Sequence, residues 1–233
     1  MSGLTKSDVI LVAGTIVEHQ LTNGDWQRVP RLTAIGAIGE QSEPKEKTTL
    51  EHTIRKYDSG LRDAPDKNLT GQYIPVQEVG DTYYDDYILQ QAFLDRLKCE
   101  EEFNTRVTFP DGDVYGWLHK ALGFQIDEAT QEDWKMFTSN GKQNSRVIYQ
   151  SDLSITGGSA VTVAGTLNLQ LETARSGLEL GTVVWKSDDE LLATVAADVA
   201  DSTKAVVTGV AAGTVNITAE VRGVPVTLEV TVS

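Results

Sequence analysis

The last third of the chain alternates in hydrophobicity with a period of two, and this pattern restricts the fold more than any other feature. The segments AVVTGV (205–210), TVNITAEV (214–221) and VTLEVTV (226–232) place β-branched residues at alternate positions. Successive side chains of a strand point to opposite faces, so the pattern predicts strands with one buried face. Arg222-Gly223, between the last two segments, predicts the turn of a β-hairpin. Turn signals recur at short intervals upstream, which predicts an antiparallel β-sandwich.

The composition changes near residue 150. All the phenylalanines, tyrosines and histidines, and three of the four tryptophans, precede residue 150, whereas the rest is built mainly from Val, Thr, Ala, Gly and Leu. We therefore predict a first domain over residues 1–150 and a second over 151–233, with the boundary near Tyr149–Leu153.

The second domain carries an ordered series of motifs. VVWKSDDELLATV (183–195) is followed by VVTGVAAGTVNITAEV (206–221) and then by VTLEVTV. This order resembles the bacterial immunoglobulin-like domain of group 2. The matching residues are Trp185, Ser187, Ala193, Val195, Val207, Gly209, Ala212, Gly213, Thr214, Ile217, Ala219 and Val230. The turn at 196–204 is longer than in that family. The resemblance implies an immunoglobulin-like β-sandwich with Trp185, Val195, Ile217 and Val230 in its core.

Three consecutive acidic residues, Asp188, Asp189 and Glu190, lie within the first of these motifs. A calcium loop needs oxygen ligands spaced along the chain and a glycine at a sharp turn, a pattern that is missing here. Consecutive residues of an extended chain point in opposite directions and converge poorly on one ion. We favour a solvated turn, with a weak cation site as the alternative.

The first domain is predicted to be mainly β with one helix. Residues 85–99 place Ile88, Leu89, Ala92, Phe93 and Leu97 on one helical face. Alternation and turn residues predict strands over 32–38, 72–79, 103–109, 114–118 and 146–149. We expect the single helix to cover the open side of a sheet or barrel.

A charged, mostly aperiodic stretch occupies residues 40–69 and contains Pro44 and Pro65. We predict a long loop. Loops of this length inside a compact domain are usually functional or disordered. Two interpretations stay open: a plain surface loop, or a segment that orders when it meets a partner.

The charge balance argues against nucleic-acid affinity. The chain has 34 acidic and 20 basic side chains, and its formal net charge is −14. Phosphate binding needs clusters of Lys and Arg, although like charge does allow DNA to pass without adhering. The N-terminal apolar run at 9–13 lacks a basic flank, so we expect no signal peptide and synthesis in the cytoplasm. No stretch has the apolar length of a membrane-spanning helix.

Residues that often carry chemistry are present, but their surroundings do not favour catalysis. Cys99 is the single cysteine, and it is followed by three glutamates, whereas reactive cysteines lie in electropositive surroundings. His19 and His52 lie in polar stretches and His119 in a predicted strand. We find no phosphate-binding glycine loop, nucleophile elbow or zinc-protease motif. The sequence therefore predicts no enzyme, no cofactor and no metal.

Taken in order, the whole chain resembles the major tail tube protein of lambda-like long-tailed bacteriophages. The resemblance consists of an opening Trp26-x-x-Val29, the strand near Ile35–Ile38, the polar loop, the aspartate-led helix, NTRVTFPDGDVYGWL (104–118) and the terminal immunoglobulin-like domain. It implies a first domain that is a β-sandwich or half-barrel with one helix, in a structural virion protein that forms stacked hexameric rings around a channel for DNA. The loop would contact the next ring, and the contact residues implied are Lys45, Lys47, Arg55, Tyr57, Arg62 and Asp63.

The implied partners are further copies of the chain and other tail proteins, such as the tape measure, terminator and distal tail proteins, with no membrane. On this interpretation residues 153–233 decorate the outside and are dispensable for assembly. The alternative function is a virion decoration or host-surface-binding module that carries an immunoglobulin-like domain.

Overall fold

A computed structural model describes residues 14–49, 53–127 and 135–233 of the chain. The apolar run at 9–13 and His52 lie outside the described residues. The fold is mainly β with one α-helix, as the sequence predicted. The chain divides into two compact units, the first comprising the chain up to Arg28, Asn104–Trp117 and Ile148–Ser233, and the second Val29–Phe103 and Leu118–Val147.

The first unit contains strands from both ends of the sequence. Its N-terminal strands are β1 (Ile16–Gln20) and β2 (Trp26–Arg28), and β1 pairs antiparallel with β2 on one side and β7 (Glu102–Thr108) on the other. The start of β8 (Val114–Ile126) pairs with β10 (Ile148–Tyr149). The strand β1 and the histidine in it, His19, were missed in the sequence because the stretch looks polar, yet His19 is fully buried.

Residues 153–232 form two four-stranded sheets. One has the order β11-β13-β16-β15, where the strands are β11 (Leu153–Gly157), β13 (Thr166–Thr173), β15 (Ala193–Ala197) and β16 (Lys204–Gly209). The other has the order β12-β18-β17-β14, where the strands are β12 (Ala160–Val161), β14 (Val183–Ser187), β17 (Gly213–Val221) and β18 (Val224–Val232).

The predicted hairpin is present as β17 and β18. Val221 pairs with Val224 across a two-residue turn, in which Arg222 and Gly223 both have positive φ angles, of 47° and 82°. Two positive φ values in a two-residue loop match the right-handed twist of the flanking strands. The alternating segments at 214–221 and 226–232 lie entirely in strands, and the segment at 205–210 does so up to Gly209.

The core of the first unit joins both of its parts. Trp185, Ile217 and Val230 are buried between the two sheets together with Leu169, Val207 and Val215, and Val195 packs against them from a partly buried position. Val114 and Ile148, which precede the second predicted domain, belong to the same cluster. Burial of apolar surface therefore connects strands on both sides of residue 150.

The second unit is a smaller antiparallel sheet with the helix. Its strand order is β8-β9-β6-β3, where the new strands are β3 (Leu32–Ile35), β6 (Leu69–Gln72) and β9 (Met136–Gln143). The helix α1 (Tyr84–Lys98) lies within one residue of its predicted bounds and buries Phe93, Leu94 and Leu97. Phe93 meets Phe103 edge-on at 6.2 Å between ring centroids.

Several strand bounds predicted from the sequence were wrong. The predicted strand at 72–79 ends at its first residue, and the backbone N–H of Ile74 donates to the Gln90 side chain of α1 instead of to a strand. Pro75 has no backbone donor, and Val76 and Val79 are exposed. The strand predicted over 32–38 ends at Ile35. The strand predicted over 114–118 continues to Ile126, and the polar sequence of β9 pairs with it.

The predicted long loop at 40–69 was also wrong in its secondary structure. Its described residues form two antiparallel strands, β4 (Gln41–Glu46) and β5 (Tyr57–Asp63), and its last residue begins β6. We call residues 41–63 the ribbon. The charged sequence did not reveal these strands because every residue of β4 is exposed, so that strand has no apolar alternation to detect.

Candidate assembly surface

The ribbon is a two-stranded sheet of its own. Gln41 pairs with Asp63, Lys45 with Asp58 and Glu46 with Tyr57, and the register shifts between Ser42 and Pro44. A proline cannot donate to the ladder, so it is tolerated at such an irregularity. Every residue of β4 is exposed. An isolated two-stranded hairpin is at best marginally stable in water, because it has no face to bury.

Two ion pairs lie at the surface of the ribbon. Lys47 Nζ lies 3.1 Å from Asp58 Oδ2, and Arg55 Nε lies 4.0 Å from Glu46 Oε1. All four side chains are at least half exposed, and exposed ion pairs contribute little stability. The ribbon therefore exposes surface that a partner can bind, and its own ion pairs contribute little to its stability.

The ribbon also exposes apolar groups. The side chains of Ile54 and Tyr57 are 76% and 56% exposed. In the whole chain acidic residues outnumber basic ones, but residues 41–63 carry five of each and are neutral. A neutral, partly apolar arm on an acidic body meets less repulsion from a second copy than the rest of the surface would.

The structure brings the sequence-predicted contact residues together on this arm. Lys45, Lys47, Arg55, Tyr57 and Asp63 all lie on the ribbon and are exposed. Arg62 lies in β5 with its backbone opposite Ser42, and its side chain is outside the described set. The sequence placed these residues on one segment, but it did not show that the segment is a pair of strands.

The two chain segments at the base of the ribbon, which we call the root, consist of residues 36–40 and 64–68. They pair through the backbone N–H of Gly36, which donates to the carbonyl of Asn68 at 2.7 Å. A Cβ at Gly36 would lie 2.7 Å from the carbonyl oxygen of Asp66. This approach is too close for any side chain, which accounts for glycine at this position.

Lys67 joins the root to the strand β9 by hydrogen bonds. Its residue is 1% exposed, its side-chain ammonium donates to the carbonyl of Ala37, and its backbone N–H donates to the carbonyl of Gly141 at 2.9 Å. Glu40 holds the other segment, because its carboxylate accepts from the backbone N–H of Val147 at 2.9 Å. Arg146 Nε donates to the same carboxylate at 3.2 Å.

The buried groups at the root alter one another's ionisation. Burial lowers the pKa of the Lys67 ammonium to about 8, while the nearby Glu40 carboxylate opposes this shift. Burial, and secondarily the Lys67 charge, lower the pKa of the His119 imidazole to about 4. His119 is fully buried and stacks on Phe103 at 5.1 Å between ring centroids. At neutral pH a charged lysine and a neutral histidine thus lie within one apolar region.

The root residues were missed in the sequence. Lys67 lies in DAPDKNL and Glu40 in GEQSE, two polar stretches where neither side chain stands out as buried. Lysine and glutamate are rarely buried without partners, so composition favours exposed positions for both. The histidine in the predicted strand, His119, is in β8 as expected.

The acidic triplet forms a turn. Asp188 accepts two hydrogen bonds from Asn216, from its backbone N–H at 2.8 Å and its side-chain amide at 2.9 Å. Asp189 Oδ1 accepts from the backbone N–H of Leu191 at 2.9 Å. Trp185 is buried, and its indole N–H donates to the carbonyl of Ser202 at 2.9 Å. The carboxylates of Asp188 and Asp189 are therefore engaged in holding the loop between β14 and β15.

A second group of contacts within the first unit joins β1, β2 and β7 to the β17–β18 hairpin. The Trp26 indole N–H donates to Glu220 Oε1 at 2.9 Å. The guanidinium of Arg106 lies over the Trp26 ring at 4.6 Å and pairs with Glu18 at 2.6 Å. At the hairpin turn, Gly223 accepts from Arg106 Nη1 at 3.5 Å. The terminal sheets are thus fixed to the N-terminal strands by packing as well as by the chain connection.

A shallow groove of about 370 Å³ lies on the sheet that contains β11, β13 and β16. Its polar lining residues are Thr156, Asn168, Gln170, Asp198 and Lys204. Amide and charged side chains of this kind can bind hydroxyl-rich ligands by hydrogen bonds.

Among the residues that the structure describes, no group of three or more His, Cys, Asp or Glu side chains is arranged to hold a metal ion. Cys99 is a free, exposed thiol at the end of α1. Within the same described ranges, no helix is long and apolar enough to cross a membrane.

Comparison with protein-family models found no match to this chain, and comparison with curated proteins found none either. Solved structures give low-identity similarities. A protein from the tail of an empty gene transfer agent particle with C6 symmetry is 16% identical, with a TM-score of 0.42, over 57% of this chain and 93% of its own. A chain of the sheath–tube complex of an extracellular contractile injection system is 15% identical, with a TM-score of 0.42, over 62% of this chain and 93% of its own.

A surface layer protein, SbsC, matches over a longer part of this chain. Its domains 1–6 are 14% identical, with a TM-score of 0.32, over 94% of this chain and 34% of their own length. All three TM-scores are below 0.5, so the function has to be argued from this chain's own residues.

Proposed function

We propose that the protein is a structural subunit of a phage-type virion tail, which assembles into stacked hexameric rings around a channel through which DNA passes. The observation that carries the proposal is the ribbon, a separate pair of strands with exposed apolar and charged side chains. A monomer gains little from such an arm, whereas a neighbouring copy can bury it.

Open sheet edges support the same proposal. The strand β3 pairs only with β6 among the described strands, so its other edge presents unpaired backbone groups. Such an edge is an aggregation hazard in a monomer and a ready interface in a symmetric assembly. We propose that the edges join subunits within a ring and that the ribbon reaches the next ring.

We also propose a role for each part of the chain. Residues 1–150 would be the tube domain and 151–233 an immunoglobulin-like domain on the outside. We propose six copies per ring, which is the symmetry of the gene transfer agent tail. The partners would be further copies of the chain and other tail proteins, and the acidic charge would let DNA slide through without being held.

A ribbon deletion tests the proposal. Residues 43–61 are replaced by a Gly-Ser turn, which leaves Glu40 and Lys67 at the root in place. We expect a folded protein that forms no tubes in electron micrographs, because the inter-ring contact is gone. A control with Thr156→Ala in the groove should assemble normally. Normal tubes from the deletion variant would refute the role of the ribbon.

The groove favours a second candidate function, attachment to a hydroxyl-rich host-surface glycan. Its polar side chains could bind such a ligand. Binding to a glycan array that is lost on Asn168→Ala and Gln170→Ala would support it. If the intact protein bound no glycan on the array, this candidate would be rejected.

A further inference from the structure

Lysine at the root of the ribbon is an unexpected choice. Lys67 is 1% exposed, and moving an ammonium out of water costs free energy unless partners compensate. A well-packed apolar residue at such a site is often as stable or more stable than the charge. Stability of the second unit alone therefore does not account for a buried lysine here.

The contacts of Lys67 indicate what it does. Its ammonium donates to Ala37, which lies on the segment that enters the ribbon, while Lys67 itself lies on the segment that leaves it. Its own backbone N–H is bonded to Gly141 of β9. One residue thus connects both segments of the root to the sheet.

A second set of contacts fixes the entering segment independently. Glu40 is adjacent to the first residue of β4, and its carboxylate is bonded to the Val147 N–H and to Arg146. The bond from Gly36 to Asn68 joins the two segments directly. Every residue of β4 is exposed, so we infer that these bonds at the root set the direction of the ribbon.

We propose that Lys67 is a positioning residue, which holds the two root segments together from a buried site and so sets the direction of the ribbon relative to the sheet of the second unit. This inference rests on the proposed function, since a defined direction matters only if the ribbon must meet a partner. A rigid, pre-positioned arm loses less conformational entropy on binding than a mobile one. Lys67 therefore promotes assembly without touching the partner.

The groups that face the Lys67 ammonium belong to several segments. They include the carboxylate of Glu40, which favours the charged lysine, and the imidazole of His119 on β8, whose pKa is lowered by burial and, secondarily, by the lysine charge. The carbonyl of Ala37 accepts its hydrogen bond. Removal of the ammonium would leave the Ala37 carbonyl without this donor and release the entering segment.

The test compares Lys67→Met with Lys142→Met. Methionine has a similar length to lysine but no donor. Lys142 is the matched control, because it contacts Asp66 at the same root from an exposed position. One spin label is placed on the native Cys99 and a second on Glu43→Cys, which lies in β4 and is exposed. Pulsed electron spin resonance then gives the distance distribution between helix and ribbon.

We expect a single narrow distribution for the parent and for Lys142→Met, and a several-fold broader one for Lys67→Met. The unlabelled Lys67→Met protein should keep its thermal transition and lose tube formation. That combination separates positioning from a purely structural role, which would lower the transition temperature instead. Unchanged distance distributions, or normal tubes from Lys67→Met, would overturn the inference.

The two readouts also separate this inference from the proposed function. If the parent protein never forms tubes, the proposed function fails, while a broadened distribution in Lys67→Met still supports the positioning of the ribbon. If the parent forms tubes and Lys67→Met forms them equally well, the positioning role fails and the proposed function stands.

Discussion

The indole ring of Trp26 packs directly against Gly223, where a Cβ would lie 2.5 Å from Trp26 Cζ2. Trp26 begins β2 near the N-terminus, and Gly223 is the second residue of the turn between β17 and β18. The contact requires a residue without a side chain at 223. It joins the first strands of the chain to the last hairpin of the same unit.

Gly223→Ala should destabilise the first unit. The substitution introduces a clash with Trp26 and places a Cβ at a φ of 82°, so we expect a loss of about 1–3 kcal/mol in the free energy of unfolding. The control is Gly24→Ala, which has a φ of 93° but no atom within 4 Å of its Cβ. Chemical denaturation measures both. Equal losses from the two variants would show that the Trp26 contact is unimportant.

Truncation before residue 153 should not give a well-folded tube domain. The sequence suggested that residues 153–233 are dispensable, but Val114 and Ile148 share a core with Trp185 and Val230. Truncation exposes these apolar groups, and we expect aggregation or binding of a hydrophobic dye. A soluble truncated protein that forms tubes would contradict this expectation and restore the sequence-based one.

The acidic turn should respond unequally to substitution. Asp188→Ala removes two hydrogen bonds to Asn216, and we expect it to cost about 1 kcal/mol of stability. Glu190→Ala, an exposed neighbour, should change the stability hardly at all. Thermal unfolding with and without calcium checks both the order of effects and the solvated-turn interpretation. A calcium-dependent rise in the transition temperature that Asp188→Ala abolishes would instead favour a cation site.

Burial of His119 should make stability depend on pH. Its folded pKa is about 4 and its ordinary value 6.5, so between these values the unfolded state binds more protons. The neutral, buried imidazole costs no stability above pH 6.5. As the pH falls from 6.5 towards 4, the free energy of unfolding decreases, by roughly 3 kcal/mol for this shift. His119→Leu should flatten the stability profile in this range. The same slope in both proteins would assign it to other groups.

The sequence predicted some elements because their physical cause is local. Arg222-Gly223 specifies its hairpin through two positive φ angles, and alternation shows which face of β17 is buried. The strand β9 was not predicted because its buried positions include Ser139 and Gly141, which are not apolar markers of a strand. The buried Ser139 hydroxyl accepts a hydrogen bond from the Leu69 N–H. The role of Lys67 was likewise not readable, since its burial depends on partners 30 residues before it and 74 residues after it, Ala37 and Gly141.

Electron microscopy of the purified, concentrated protein is the most direct test of assembly into a tube. We predict rods of constant width with a central channel and sixfold symmetry in cross-section. Monodisperse monomers at every salt and protein concentration examined would contradict it.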